Sequence, residues 1–408
     1  MGAAASPLRV LVVDHTAVLC NNRVRWRRIA ERAGLAMTLL APRMWIENNV
    51  RERYQHDSSD PFTLVQGRVL FPGNAIRSFY VTGLFRAIRR SRPEVIVMME
   101  ESFTLFALQI VLLARLFAPN AKITFYNVHI SGYDFGMYRL GWLYRRIAQW
   151  VMRRVDLGFC HDERATSFLR ASTFAGEIRT LFWGINEDLF RPLPRMAVRQ
   201  RLGIDPETTV ILYAGRLPRN KGVQELVAAF DRLRAGRSGE PLRLLIVGTG
   251  EYRRELEEQA ARLGSAEAIE FRDPIPIERM PELIAAADIF VLPSRPDCLE
   301  QFGRVLVEAM LVETTVVGST SGAIPGIVQG RGYLFEAGDA GSLHDALTAV
   351  LDDPVEAERR RAQARAWAMG RYSVENFVEG TVDAVEMLAG RSLRGDGCEG
   401  SVAVEGAG

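Results

Sequence analysis

Residues 293–310 read PSRPDCLEQFGRVLVEAM and follow the apolar run Asp288-Ile289-Phe290-Val291-Leu292. That run predicts a buried strand, the Pro-Ser after it a loop, and Phe302-Gly303 the opening of a helix. A helix N-terminus that follows a strand presents unpaired N–H groups and the positive end of a dipole, which together suit an anion. Gly303 lets the backbone approach a ligand closely. Glu300 and Glu308 have seven residues between them. On one helix that spacing would set them about 80° apart, but Glu300 falls in the loop before the first turn. The stretch therefore sets one carboxylate ahead of a phosphate-sized pocket and another inside the helix. Carboxylates beside a phosphate site suit hydroxyl-rich ligands, because they accept hydrogen bonds from sugar hydroxyls.

The full string EQFGRVLVEAM, with its strand, Pro-Ser, Phe-Gly and Glu-Ala-Met, resembles the signature of retaining nucleotide-sugar glycosyltransferases of the family 4 type, which have the GT-B fold. The resemblance covers most of residues 8–390 and is strongest over 209–335. It implies an α/β chain of two doubly wound Rossmann-like domains facing a cleft, the donor held by the second and the acceptor by the first. The expected divisions are 1–191 for the acceptor domain and 192–370 for the donor domain. A helix over 371–390 would cross back to the first domain, and a small, polar tail over 391–408 reads as disordered.

The length of 408 residues favours two domains over one core, and 48% hydrophobic content describes a globular protein. The start, MGAAASPLRVLVVD, runs into a strand without a basic region and long apolar core, so no signal peptide is expected. Cys20, Cys160, Cys298 and Cys398 form no CxxC pair, which points away from zinc or a disulfide framework and toward a reducing, cytoplasmic setting. Residues 1–190 hold 25 basic and 16 acidic side chains, whereas the remainder holds 26 and 33. A basic half suits an anionic acceptor or the inner face of a membrane. Residues 138–155, YRLGWLYRRIAQWVMRRV, sharpen that reading as a basic amphipathic helix. Nucleic acid is not the partner this pattern suggests.

In the first half, LRVLVV (Leu8–Val13) and EVIVMM (Glu94–Met99) read as central parallel strands. A helix is expected over 22–33 and another over 79–91, with 44–75 irregular apart from a weak strand at 62–70. Asp14 and His15 end the first strand, and Glu100 and Glu101 another, at the edge where open α/β sheets build sites. Leu105 to Ala118 is apolar but too short to span a membrane, and reads as a core helix. His129 follows the strand KITFY (Lys122–Tyr126); the family resemblance implies that it faces the sugar. Around Pro192 the string GINEDLFRPLPR resembles the family's interdomain segment.

The second half restarts with TVILYA (Thr209–Ala214) and the loop Gly215-Arg216-Leu217-Pro218-Arg219-Asn220-Lys221-Gly222. Arg forks two oxygens and Lys adds a mobile point charge, which makes a diphosphate clamp. The family places Arg and Lys here for that purpose, so Arg216 and Lys221 are expected to bind the donor. The resemblance further implies base contact at Ile275, diphosphate contact at Phe302 and Gly303, ribose contact at Glu308, and sugar contact at Glu300 and His129. No Asp-x-Asp loop is present, so neither a divalent metal nor another cofactor is expected beyond the nucleotide-sugar co-substrate. The implied reaction is retaining transfer of a sugar to a hydroxyl of a glycan or lipid-linked acceptor, in surface polysaccharide or glycolipid assembly. Two rivals are an epimerase on the same fold and a non-catalytic nucleotide-sugar-binding partner subunit.

Overall fold

The computed structural model describes residues 6–47, 50–128, 140–298 and 300–393. His129 and the tail beyond Leu393 lie outside the described residues. The chain forms two compact units, one of residues 1–184 with 374–408 and the other of residues 185–373.

The first unit is built on seven parallel strands. Their order is Glu177–Thr180, Leu157–Cys160, Lys122–Asn127, Val95–Met98, Leu8–Val13, Leu35–Pro42 and Thr63–Gly67. The apolar runs occupy the middle because helices cover both faces of the sheet. One face packs on helices Leu84–Ser91, Leu105–Phe117 and Gly141–Met152. The other packs on Val24–Ala30 and Val374–Ala389, where Trp26 meets Phe377 edge-on at 5.6 Å. Thr104 starts the long apolar helix by accepting a hydrogen bond from the Ala107 N–H at 3.1 Å.

The second unit carries six parallel strands in the order Ile269–Arg272, Leu242–Val247, Thr209–Ala214, Ile289–Leu292, Thr315–Ser319 and Tyr333–Phe335. In each sheet the chain first lays a strand on one side of its opening strand and later returns to the other side. Such a reversal leaves a crevice at the carboxyl ends of the two strands, where ligands bind in open α/β sheets. The first crevice lies beyond Val13 and Met98, the second beyond Ala214 and Leu292.

Several expectations change. Ile185, the first residue of the second unit, is buried and donates its N–H to the Tyr372 carbonyl at 2.7 Å. The helix expected over 22–33 is shortened to Val24–Ala30, following a tight turn at Cys20–Arg23. Arg23 fixes that turn, with its buried guanidinium donating to the Ala17 and Gln55 carbonyls and pairing with Asp60. Over 79–91, Phe79–Tyr80 instead pairs with Val69–Leu70, and the helix begins only at Leu84. The Gln109 side chain holds both the N–H and the carbonyl of Tyr80 and so keeps it extended. The stretch 44–75 also contains a hairpin, Met44–Glu47 with Val50–Arg53. Finally, the expected tail is held at its start, where Arg391 pairs with Glu94 at 3.1 Å and donates to the Ser6 carbonyl at 2.9 Å.

Candidate active site

The second crevice gathers the loop after Ala214 and the loop after Leu292. Gly222 makes the approach possible: it adopts φ +73°, and a Cβ there would lie 1.9 Å from the Pro293 carbonyl oxygen. Only glycine fits so close a crossing. The Arg295 N–H donates to the Asn220 carbonyl at 2.9 Å, and the Arg295 guanidinium pairs with the buried Glu225. Lys221 Nζ then reaches Glu300 Oε2 at 2.6 Å, and Ser294 Oγ donates to the same oxygen at 2.8 Å. Ser294 is buried, its carbonyl held by Ser319 Oγ at 2.6 Å. Glu300 is anchored through its backbone as well. Ala323 donates to its carbonyl at 2.8 Å, and Gly322, at φ +55°, leaves no room for a Cβ, which would stand 2.2 Å from that oxygen. Two residues 79 apart in sequence thus form one ion pair, and each side chain is 15% exposed.

The helix Arg304–Leu311 opens at Gly303 without a side-chain cap. Its first N–H groups and its dipole favour negative charge at that end. Phe302 stacks on Tyr372, ring centres 5.4 Å apart. Glu308 lies in the helix with its side chain 3% exposed, and Arg304 Nε donates to it at 2.7 Å. Burial raises the Glu308 carboxyl above its ordinary value, with Arg304 opposing the shift. Arg216 is exposed at the end of Thr209–Ala214, and the buried Tyr213 hydroxyl donates to its carbonyl at 2.5 Å. Ile275 is half-buried beyond Ile269–Arg272, three strands across the sheet order from Ile289–Leu292. Of the expected donor residues, the structure therefore joins Lys221 to Glu300 directly. It closes Glu308 behind Arg304 and sets Ile275 three strands away. Ser294 and Gly222 escaped the sequence reading. The serine two residues past a strand end, and a glycine heading a helix without another capping side chain, were the available signals.

The crevice of the first unit holds polar groups too. His15 Nδ1 lies 2.6 Å from Glu100 Oε1. The Val128 N–H donates to Glu101 at 2.7 Å, which fits a carboxylate fastening its loop. His161 is buried beside Asp162 at 3.6 Å. Among the described residues, no group of three or more His, Cys, Asp or Glu side chains is arranged to hold a metal ion. Also among them, no helix is long and apolar enough to cross a membrane.

A family model described as glycosyl transferases group 1 matches residues 195–367. The chain is 30% identical over 269 residues to a GDP-mannose-dependent alpha-(1-6)-phosphatidylinositol monomannoside mannosyltransferase of Mycolicibacterium smegmatis, covering 62% of this chain and 68% of that protein. It is 33% identical over 223 residues to the D-inositol 3-phosphate glycosyltransferase of Geodermatophilus obscurus, covering 52% of this chain and 48% of that one. The chain thus spans about half the length of that second relative. Among solved structures, Anabaena HepE in complex with UDP superposes with a TM-score of 0.69 at 18% identity, covering 93% of this chain and all of that one. WaaG, a glycosyltransferase involved in lipopolysaccharide biosynthesis, gives 0.64 at 16% identity, covering 93% and 100%. At such identities the superpositions establish the fold alone, two Rossmann-like units of the GT-B kind.

Proposed function

Because the chain belongs to the glycosyl transferases of group 1, we propose that it moves a sugar from a nucleoside diphosphate to a hydroxyl of a glycan or lipid-linked acceptor, with retention at the anomeric carbon. The observation that carries this reading is the Lys221–Glu300 pair at the second crevice, beside an uncapped helix N-terminus. As the glycosidic bond breaks, positive character grows on the sugar ring and negative charge on the departing diphosphate. Arg216, Lys221 and the first N–H groups of Arg304–Leu311 stabilise that leaving charge, the kind of fixed electrostatic help that contributes most to such reactions. Glu300, held by Lys221 and Ser294, accepts hydrogen bonds from the sugar hydroxyls. Glu308 takes the ribose hydroxyls once Arg304 turns aside. Ile275 lines the base, and Phe302 and Gly303 the diphosphate.

A lipid-linked acceptor is supported by the outer face of the first unit. Helix Leu84–Ser91 packs on Leu105–Phe117, which packs on Gly141–Met152. Their solvent sides expose Phe85, Leu112, Leu116, Phe117, Trp142 and Leu143, with Phe85 and Phe117 in edge contact at 4.9 Å. Arg86, Arg89, Arg145 and Arg146 are exposed on the same helices. Apolar side chains among arginines suit an anionic lipid surface, with peripheral attachment at the cytoplasmic side.

The reading is tested by incubating the protein with nucleotide sugars and an extracted glycolipid fraction and following nucleoside diphosphate release. Proton NMR of the product then gives the anomeric configuration. A product with the donor's configuration is expected; an inverted product, or sugar isomerised without any acceptor, would overturn it.

A further inference from the structure

At the amino ends of the first sheet's strands, the edge away from its crevice, lies a cleft of about 320 Å³ lined by Arg89, Arg92, Pro93, Phe117, Pro119 and Asn120. Helices Leu84–Ser91 and Leu105–Phe117 both end there, just before strands Val95–Met98 and Lys122–Asn127 begin. Its volume falls at the small end of the range for ligand sites. The acidic side chains at this edge are already engaged: Glu94 pairs with Arg9 and Arg391, and Asp156 with Arg115 and Lys122. Arg89 and Arg92 are exposed and, three residues apart, stand on one side of the helix end. Among the described residues neither guanidinium has a hydrogen-bond or ion-pair partner.

Arg92 closes its helix in left-handed backbone, φ +43°, a position usually given to glycine because a side chain strains it. Its N–H donates to the Ile88 carbonyl, and its own carbonyl accepts from Arg9 Nε at 2.7 Å. The chain thus keeps a guanidinium at the cleft where the backbone favours no side chain at all. The carboxyl ends of the two helices each bring about half a negative charge, against a full positive charge on each arginine, so the balance favours an anion. The carbonyls there are largely taken as well: Ala114 by the Ala118 N–H, Ala118 by the Ala121 N–H, and Pro119 and Ala121 by Arg115. Phe117 supplies an apolar wall. It meets Phe85 edge-on at 4.9 Å, and the exposed Phe85 and Leu116 carry that apolar surface outward. Forked cations beside an aromatic wall fit a phosphate joined to an apolar substituent.

We propose that this cleft binds a phosphate ester carrying an apolar arm, with Arg89 and Arg92 on the phosphate, the Asn120 amide beside them and Phe117 against the arm. It lies at the sheet edge away from the crevice, so the ester held there is a further ligand and neither the donor nor the acceptor of the sugar. Two sources share this chemistry, a phospholipid headgroup in a membrane and a soluble phosphate ester. Assigning the ester to a membrane rests on the lipid-facing reading above; the phosphate binding itself does not.

The test is calorimetry on the full chain. GDP and UDP are titrated first and then kept in excess, so that the second crevice does not take the phosphate. Dihexanoyl phosphatidic acid below its micellar concentration, phenyl phosphate and inorganic phosphate are titrated separately. Saturable binding of one ester per chain is expected, with both esters tighter than inorganic phosphate. Arg92→Gly suits the φ +43° backbone and removes the guanidinium without straining the fold. That variant and Arg89→Gln should each weaken ester binding roughly tenfold, as loss of a charged hydrogen-bonding group does. Thermal melts should show both folded, and Arg92→Gly should bind nucleotide as the parent does. Phosphatidic acid binding more tightly than phenyl phosphate assigns the cleft to a lipid, and the reverse order to a soluble ester. Neither ester binding, or binding that both variants leave untouched, would overturn the proposal. So would inorganic phosphate binding as tightly as the esters. Ester binding as expected without any nucleotide binding would uphold the cleft and overturn the transfer reading instead.

Discussion

Lys221 Nζ stands 2.6 Å from Glu300 Oε2, joining the two loops that flank the crevice of the second sheet. The cation proposed for the diphosphate and the carboxylate proposed for the sugar hydroxyls thereby hold each other in place. Removing the cation, as in Lys221→Ala, should weaken binding of a nucleoside diphosphate by roughly 10- to 100-fold. Binding of the bare nucleoside should change far less. Calorimetric titration with the two ligands separates these effects, and equal losses for both would indicate a collapsed site rather than a lost phosphate contact.

Glu308 sets function against stability. Burial raises its carboxyl above 4.5, so the folded state binds this proton more tightly than the unfolded chain. The sign follows directly: as pH rises from about 4.5 through the folded value, ionising Glu308 costs the fold stability that it had when protonated. Glu308→Gln should therefore be more stable than the parent at neutral pH, on the order of 1 kcal/mol. Its Arg304 partner is 36% exposed and can turn to water. The same variant should lose affinity for nucleoside and nucleotide relative to the parent, while binding of the nucleobase changes little. Chemical denaturation at several pH values checks the first half, and calorimetry the second.

Gly222→Ala tests the crossing of the two loops. The added Cβ would meet the Pro293 carbonyl at 1.9 Å in a backbone held at φ +73°. Loss of about 2 kcal/mol or more of stability in the second unit is expected. Nucleotide affinity should fall as Lys221 shifts. An unchanged melting profile would mean that the loops do not pack this closely.

The outer face of the first unit should carry the protein to lipid. Sedimentation with vesicles of phosphatidylcholine and phosphatidylglycerol should show binding that weakens with salt and vanishes on pure phosphatidylcholine. The double variant Arg145→Gln, Arg146→Gln should lower partitioning roughly 30-fold, at about 1 kcal/mol for each arginine. Trp142→Ala should lower it without altering the salt dependence.

Much of the second unit was legible in its sequence, because the runs TVILYA and IFVL are central strands and the loops after them carry glycine, arginine, lysine and glutamate at the strand ends. Its ion pair was not legible, since the contact between Lys221 and Glu300 depends on Gly222 crossing Pro293, a three-dimensional coincidence with no local signature. In the first unit, local patterning misjudged the turns, where long-range polar side chains decide. Arg23 truncates one helix by reaching Gln55, and Gln109 holds Tyr80 extended. The His15–Glu100 bond spans 85 residues. Each partner marked a strand end, but only the strand order places the two ends side by side.

The most direct test of the account is calorimetry of the wild-type protein with GDP-mannose, UDP-glucose and their nucleosides, beside Lys221→Ala and Glu308→Ala. One diphosphate sugar should bind far more tightly than its nucleoside, Lys221→Ala should lose most of that difference, and Glu308→Ala should weaken the diphosphate sugar and the nucleoside alike. A folded protein that binds none of them, or binds equally well in both variants, would contradict it.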